Sequence, residues 1–357
     1  MLAPAKSGLS DNKVKRRGPR NIFAQSGNKP LLPRVSSLNG ALRRTRRDMT
    51  THEPDGGLDR RQTLKCMLWA GTGVVWTVAG GVPSSRLIGG AKAAEGGFSF
   101  VQISDSHIGF EKPANPDARA TLDAAIDKVL AMPDAPAFMI HTGDISHSTK
   151  ASEFDDALQL IGRARLDVHY SPGEHDILDV KTRDAYLDRF GKGATGGGWY
   201  SFDHGGVHFV SLNNVVNLKT NGLGTLGADQ LEWLEDDLRA KSDSTPIVVF
   251  CHIPLWMIAP EWGWGTEDSA QALGYLARFG SVTVLNGHIH QLMQKVEGNV
   301  TFHTARSTAF PQPAPGTAPA PGPKLVPAGE LRKWLGVREV AYASSATHLA
   351  VTDSNLS

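Results

Sequence analysis

Five polar clusters, each closing a short apolar run, constrain this chain more than any other feature. In order they are Ile103-Ser104-Asp105-Ser106-His107, His141-Thr142-Gly143-Asp144, Pro172-Gly173-Glu174-His175-Asp176, Phe250-Cys251-His252-Ile253-Pro254 and Asn286-Gly287-His288-Ile289-His290. Each stands at or just beyond the end of a segment that reads as a strand. Ligands of α/β sheets bind at strand ends. Carboxylates and imidazoles gathered there are metal ligands by composition. A Gly beside the acid or His lets the chain turn and the backbone approach closely. No single cluster is specific, because a lone Asp-x-His arises by chance and a strand His is usually a hydrogen-bonded core residue. Five in order are different: ionisable groups brought together need partners, and a bound cation supplies one.

Between the clusters the hydrophobic period alternates. Phe98–Ser104, Ala137–His141 and Val168–Ser171 read as strands, and Leu122–Met132 and Phe154–Ile161 as helices. Trp199–Asp203 and Val207–Leu212, joined by His204-Gly205-Gly206, read as a hairpin. Gln230–Leu238 carries Leu231, Leu234 and Leu238 on one helical face. Ile247–Cys251, Val282–Leu285, Leu292–Val296 and Val300–His303 complete the strands of this region. The alternation predicts an α/β domain whose sheets are covered by helices.

Charge divides the chain. Residues 1–48 hold 12 Lys/Arg against two acids, Asp11 and Asp48, whereas residues 94–357 hold 20 basic against 31 acidic residues. The formal net charge of +1 therefore averages a basic leader and an acidic body. Residues 1–48 lack apolar periodicity and read as a disordered leader or a start read too early, with Met49 as the true first residue; a basic nucleic-acid arm is the competing reading. Residues 49–93 have the logic of an export signal. Asp59-Arg60-Arg61-Gln62-Thr63-Leu64-Lys65 sets twin arginines before the apolar run Cys66 to Gly81, and Ala91-Lys92-Ala93 offers a small-x-small cleavage site. This resembles a twin-arginine (Tat) signal. The run has 16 positions, fewer than the ~20 that span a bilayer, so no stable membrane anchor is expected. The Tat machinery would be a partner, and the mature protein would be periplasmic or secreted. With two cysteines, Cys66 and Cys251, and only the second left after cleavage, a disulfide scaffold is excluded.

The order resembles the D-x-H, G-D, G-N-H-[D/E], H, G-H-x-H pattern of the calcineurin-like metallophosphoesterases, and the likeness spans roughly Phe98 to Ala305. Val101 to His107 and the hairpin Trp199 to Asp203 look most like the bacterial cyclic-nucleotide phosphodiesterase branch. The resemblance implies a four-layer α/β/β/α sandwich of two mixed sheets. It implies two metal ions (iron, manganese or zinc), with Asp105, His107 and His290 on the first, Asp144 bridging, and Glu174, His252 and His288 on the second. It implies that His175 is the catalytic proton donor to the leaving oxygen or a stabiliser of the phosphate. The chemistry would be that of ions ~3.5–4 Å apart that supply hydroxide near neutral pH and draw charge from the phosphoryl oxygens. The expected enzyme is a dinuclear metal-dependent hydrolase of a phosphate monoester or small diester.

Two departures complicate this reading. Glu174 stands where the family usually has Asn, so the metal shell would carry three carboxylates with Asp105 and Asp144. Either Glu174 ligates and favours a less charged diester or a trivalent ion, or the swap is neutral, or the second site is weakened and the chain is a metal-binding accessory protein with little catalysis. His147, three residues after Asp144, occupies the spacing of the metal-binding Tyr of purple acid phosphatases; it faces either substrate or solvent. Asp176 either orients His175 or orders its loop.

Two segments sit outside the motifs. Leu255 to Trp264 places Trp256, Trp262 and Trp264 on one loop, either as an apolar wall for a nucleobase, lipid or aryl group or as a lid packed on the domain. The wall reading carries the alternative of a phospholipid-type diesterase. Pro311 to Pro327 holds seven Pro in 17 residues and is expected as a polyproline-like surface loop. Residues 94–310 are thus the predicted catalytic domain, 311–327 the Pro-rich loop, and 328–357 a C-terminal extension packing on the domain, with a short helix at Ala328–Leu335 and a strand at Glu339–Tyr342. No Lys/Arg-rich patch flanks the motifs, which disfavours nucleic acid as a partner.

Overall fold

The computed structural model describes residues 97–344 and 349–357, and the backbone of an antiparallel hairpin, β1 (Gly73–Ala79) with β2 (Val82–Ile88). The basic leader and the twin-arginine motif lie outside the described residues. No helix among the described residues is long and apolar enough to cross a membrane.

One sheet has five strands. β3 (Phe98–Ile103), β4 (Met139–His141) and β5 (Val168–Tyr170) run parallel. β12 (Gly336–Tyr342) pairs antiparallel with β3, and β13 (Ala350–Asn355) antiparallel with β12. The other sheet has six strands. β7 (Val207–Ser211), β8 (Ile247–Phe250), β9 (Val282–Asn286) and β11 (Val300–Thr304) form its parallel centre. β6 (Tyr200–His204) and β10 (Gln294–Glu297) flank it antiparallel. Both sheets are mixed, as expected.

Three separate cores make the four layers. Phe100, Ile140, Phe209, Val248, Leu285 and Val340 fill the space between the sheets, with Phe100 and Phe138 stacked at 5.0 Å. Val101, Ile103 and Met139 of the first sheet meet α1 (Ala118–Leu130), α2 (Ala151–Gly162) and α3 (Val180–Phe190) on the outer side. Val210, Val249 and Val284 of the second sheet meet α4 (Ala228–Arg239) and α5 (Ser269–Leu276). A central strand buried on both faces is mostly apolar, which is why these strands read as near-continuous runs, with buried polar exceptions such as Gln102 held by hydrogen bonds.

The helices follow local chemistry. The Asp117 side chain accepts from Ala120 N–H and caps α1, which buries Leu122, Ile126 and Val129 at helical spacing. In α4 the predicted Leu231, Leu234 and Leu238 are the buried face. α3 was not apparent from the sequence, since it buries only Tyr186 and Phe190; a reciprocal Asp179–Thr182 capping box starts it.

The C-terminal segment departs from expectation. It does not pack outside a finished domain, for β12 lies between β13 and β3 and completes the sheet. Arg338 of β12 is 2% exposed; it pairs with Asp353 at 2.8 Å and donates to the Gln102 Oε1 and Thr304 carbonyl oxygens. Gln102 in turn donates to Thr142 Oγ1 and to the Asn286 carbonyl, so a buried polar net ties the two sheets together below the strand ends. The predicted last helix shortens to α6 (Leu331–Trp334), because Gly329 takes a left-handed conformation just before it.

Candidate metal centre

The parallel strands β3, β4 and β5 of one sheet and β8 and β9 of the other end at one edge of the sandwich, and the five clusters meet there. The backbone is bent to deliver them. Of the seven non-glycine residues with positive φ among the described residues, five are Asp105 (54°), His107 (41°), Asp144 (54°), His288 (67°) and His290 (52°). Such conformations cost energy for residues bearing a Cβ and persist where the surroundings impose them, often at functional sites. Close approach also dictates glycine. A Cβ on Gly173 would collide with the Asp144 side chain, and one on Gly143, at φ 90°, would lie 2.6 Å from His252 Nδ1.

Asp105, His107 and His290 form one group, whose ligand atoms all lie within 4.8 Å of each other. His290 Nε2 is 3.2 Å from Asp105 Oδ1, and His107 Nε2 is 3.3 Å from His290 Nε2. Burial acts to raise the Asp105 carboxyl, but His290, His252 and the Ser104 hydroxyl outweigh it and hold it at about 2. Burial, with His290 and His175 nearby, pushes His107 well below its ordinary value, so its imidazole is neutral and offers a lone pair.

Glu174, His252 and His288 form the second group. Glu174 Oε1 is 2.8 Å from His288 Nδ1 and Glu174 Oε2 is 2.8 Å from His252 Nε2. Asp144 stands between the groups, 3.4 Å from both His107 Nε2 and His252 Nε2. Burial acts to raise Glu174, but the charges of His288 and His252 prevail and hold it well below its usual range.

The chemistry of the site fits metal. Glu174 Oε2, His252 Nε2 and both ring nitrogens of His288 are buried without hydrogen-bond partners. Orphaned buried polar atoms are costly, and four in one group call for a shared cation. The orientation of the rings agrees. His252 Nδ1–H donates to the Thr142 carbonyl at 2.7 Å and His290 Nδ1–H to the Phe310 carbonyl at 2.5 Å, which turns both Nε2 atoms inward. All seven residues predicted as ligands are therefore brought together.

His175 borders both groups, with a ring nitrogen within 4.8 Å of carboxylate oxygens of Asp144 and Glu174. Its Nδ1–H donates to the His147 carbonyl at 2.8 Å. Burial acts to lower its pKa, but Asp144 and Glu174 outweigh burial and raise it. Asp176 makes no hydrogen bond to the His175 ring, although its charge helps raise the His175 pKa. It accepts from the backbone N–H groups of Ile145, Ser146 and Gly173, which orders the loop. Burial and Asp144 push it up to about 7. His147 does not lie free in solvent: its ring stacks on His175 with centroids 4.9 Å apart.

Several supporting residues escape sequence reasoning. Phe310 gives its carbonyl to His290 and stacks its ring 4.8 Å from His107. Ser307 Oγ donates to the Asp105 carbonyl and accepts from Phe310 N–H. Gln312, in the Pro-rich loop, donates to the His288 carbonyl at 2.9 Å and accepts from Gly322 N–H. The loop has no helix or strand, as predicted, yet it is anchored to the metal motif. Nothing in a Phe, Ser or Gln taken alone announces such roles. The Trp loop is packed on the domain: Trp264 is 1% exposed and clusters with Ile289, between His288 and His290, while Trp256 lies 5.1 Å from Phe302.

Comparison with known proteins agrees with this geometry. A 3',5'-cyclic-nucleotide phosphodiesterase of Nostoc is 22% identical over 218 residues, which cover 59% of this chain and 79% of that protein. A probable cyclic nucleotide phosphodiesterase of Fibrobacter succinogenes is 24% identical over 58% of this chain and 78% of its own length. Purple acid phosphatase 15 of Arabidopsis thaliana is 33% identical over 130 residues, only 23% of that protein. Among solved structures, a dimetal phosphatase from Danio rerio shares the fold with a TM-score of 0.52 at 15% identity, covering 73% of this chain and 99% of its own. The profile of the calcineurin-like phosphoesterases matches residues 98–292, more than half of the 357. By that match, and with the two mixed sheets and the convergent Asp and His residues behind it, the chain belongs to the calcineurin-like phosphoesterase family.

Proposed function

We propose that this protein is a dinuclear metal-dependent phosphodiesterase that acts on a small phosphate ester outside the cytoplasm. The observation that carries the reading is the set of orphaned atoms on Glu174, His252 and His288 beside the Asp105–His107–His290 group. Asp105, His107, Asp144 and His290 would hold one ion, and Asp144, Glu174, His252 and His288 the other. When bound, the ions would supply Lewis acidity to the phosphoryl oxygens and to the attacking water. His175, with Nδ1 fixed on the His147 carbonyl, presents its other nitrogen as the proton donor to the leaving oxygen.

A diester is favoured over a monoester by charge. With Glu174 ionised beside Asp105 and Asp144, the pocket carries one more negative charge than it would with Asn, and a monoanionic substrate suffers less repulsion than a dianion. The cyclic-nucleotide phosphodiesterases among the relatives support the same substrate class. The phospholipid alternative is less favoured, because Trp264 is buried and Trp256 packs against the second sheet, although Trp256 and Trp262 keep part of their surface exposed. The twin arginines Arg60 and Arg61 support Tat export and a periplasmic or secreted location.

The test is hydrolysis of bis-p-nitrophenyl phosphate and p-nitrophenyl phosphate by the purified protein, before and after chelation. Loss of turnover on chelation and its return with manganese, zinc or iron is the expected result. Turnover that survives complete metal removal would refute the reading.

A further inference from the structure

His147 belongs to neither of the two groups described above, though its ring nitrogen lies within 4.8 Å of those of His107 and His175, and its contacts reach the principal parts of the site. Its ring Nδ1 lies 3.3 Å from the Nδ1 of His107. Its backbone carbonyl accepts the Nδ1–H of His175 at 2.8 Å, and its ring lies parallel to that of His175 within 17°. Its own backbone is held in place, since His147 N–H donates to the Ile108 carbonyl and Ile108 N–H to the Ile145 carbonyl. Phe110 meets the ring edge-on at 5.1 Å.

Two imidazole nitrogens facing each other at hydrogen-bond distance share either a cation, as proposed for His107 Nε2 and His290 Nε2, or one proton, as proposed for His107 Nδ1 and His147 Nδ1. His107 Nε2 points at Asp144 and His290, so as a ligand it must be bare, and the His107 proton must sit on Nδ1. His147 Nδ1 must then be the acceptor and His147 must carry its proton on Nε2. His252 and His290 fix their rings on backbone carbonyls, of Thr142 and Phe310. His107 instead relies on a side chain, which substitution can remove.

We propose that His147 is a positioning residue. Its Nδ1 fixes the tautomer and ring plane of His107 toward the first metal, while its carbonyl and ring face fix His175. The proposal rests on His107 being a metal ligand. A metal-ligating His is oriented by the acceptor on its other nitrogen, and loss of that acceptor weakens metal binding roughly 10–100-fold.

The experiment is calorimetric titration of the metal-free full-length protein with zinc, for wild type, His147→Phe and His147→Asn. Phe keeps the carbonyl and the stacked ring but removes the acceptor; Asn restores an acceptor at the Nδ1 position. The expected result is two binding steps in wild type, one of them weakened about 10–100-fold in the Phe variant and recovered in Asn, with the other step unchanged. Equal affinities in all three proteins, or an Asn variant no better than Phe, would overturn the proposal while leaving the metal site intact. Absence of zinc binding by wild type would overturn the functional reading and this proposal together. Should the Phe variant not fold, long-range nitrogen–proton NMR of zinc-loaded wild type decides the matter. His107 protonated at Nδ1 and His147 at Nε2 is the expected pattern, and the reverse assignment for His147 refutes it.

Discussion

Glu174 Oε2 lies 2.8 Å from His252 Nε2, yet neither atom makes a hydrogen bond, although His252 Nε2 also faces Asp144 Oδ2 at 3.4 Å. A carboxylate and an imidazole that pointed at each other would bond. Two atoms that point at a common third position would stand as these do, which is the arrangement of co-ligands on one cation. Glu174 extends the same relation to His288 through its other oxygen. On the proposed reading, the residue that departs from the family pattern would be a ligand, and its extra charge would act on the phosphate.

Replacement of Glu174 by Asn removes that charge and retains a ligand oxygen. The variant is expected to keep its metal content and to raise the monoester rate relative to the diester rate roughly tenfold, the scale of ~1.4 kcal/mol. Parallel assays on p-nitrophenyl and bis-p-nitrophenyl phosphate, with elemental analysis, provide the check. An unchanged ratio at unchanged metal content refutes the charge argument.

His175 lies within 4.8 Å of Asp144 and Glu174 but is proposed as the acid rather than a ligand, so its removal separates binding from chemistry. His175→Ala is expected to retain metal and to lose roughly 10²–10⁴-fold in turnover, the range for a lost general acid. A full rate on a substrate with a poor leaving group would show that the proton comes from elsewhere.

The net centred on Arg338 predicts a stability effect remote from substrate. Arg338→Ala leaves Gln102 Oε1 and the Thr304 carbonyl without their donor. Asp353, one-quarter exposed, keeps access to water, which limits the loss. Breaking a buried pair costs about 3–5 kcal/mol, so about 2–4 kcal/mol is expected here after that discount. Urea denaturation gives the value, and a change below 1 kcal/mol contradicts it.

A second, partly buried carboxylate makes the acid limb of stability predictable. Burial acts to raise Asp237, but His208 at 2.7 Å and the Ser201 hydroxyl outweigh it and hold the carboxyl below its ordinary 3.8. A folded pKa below the unfolded one adds stability that is fully present well above the unfolded value and is lost as pH falls through the folded value. Asp237→Asn should therefore melt below wild type at pH 7, and the gap should narrow as pH falls below the ordinary carboxyl value of 3.8. A gap that stays constant across this range contradicts the assignment.

Much of this architecture was legible because its signals are local. Phe98–Ile103 and Ile247–Phe250 are strands buried on both faces, so apolar runs announced them, and Leu231, Leu234 and Leu238 marked one face of α4. The metal residues were legible because ionisable side chains at strand ends are chemically conspicuous. α3 was not, because its Val180 is 63% exposed and only two of its side chains are buried. β13 was not, because along Ala350–Asn355 only Val351 is fully buried. Ser307, Phe310 and Gln312 act largely through backbone groups of their neighbours, and such roles depend on tertiary position rather than residue type. The place of His147 was likewise undecidable until His107 and His175 were seen against it.

The central claim is that one site built from Asp105, His107, Asp144, Glu174, His252, His288 and His290 holds two ions. Metal content per chain, measured by elemental mass spectrometry on extensively dialysed wild-type protein, tests it directly. Two equivalents of a divalent or trivalent transition metal per chain are predicted. One equivalent or none, in protein that hydrolyses phosphate esters at its full rate, would contradict the account.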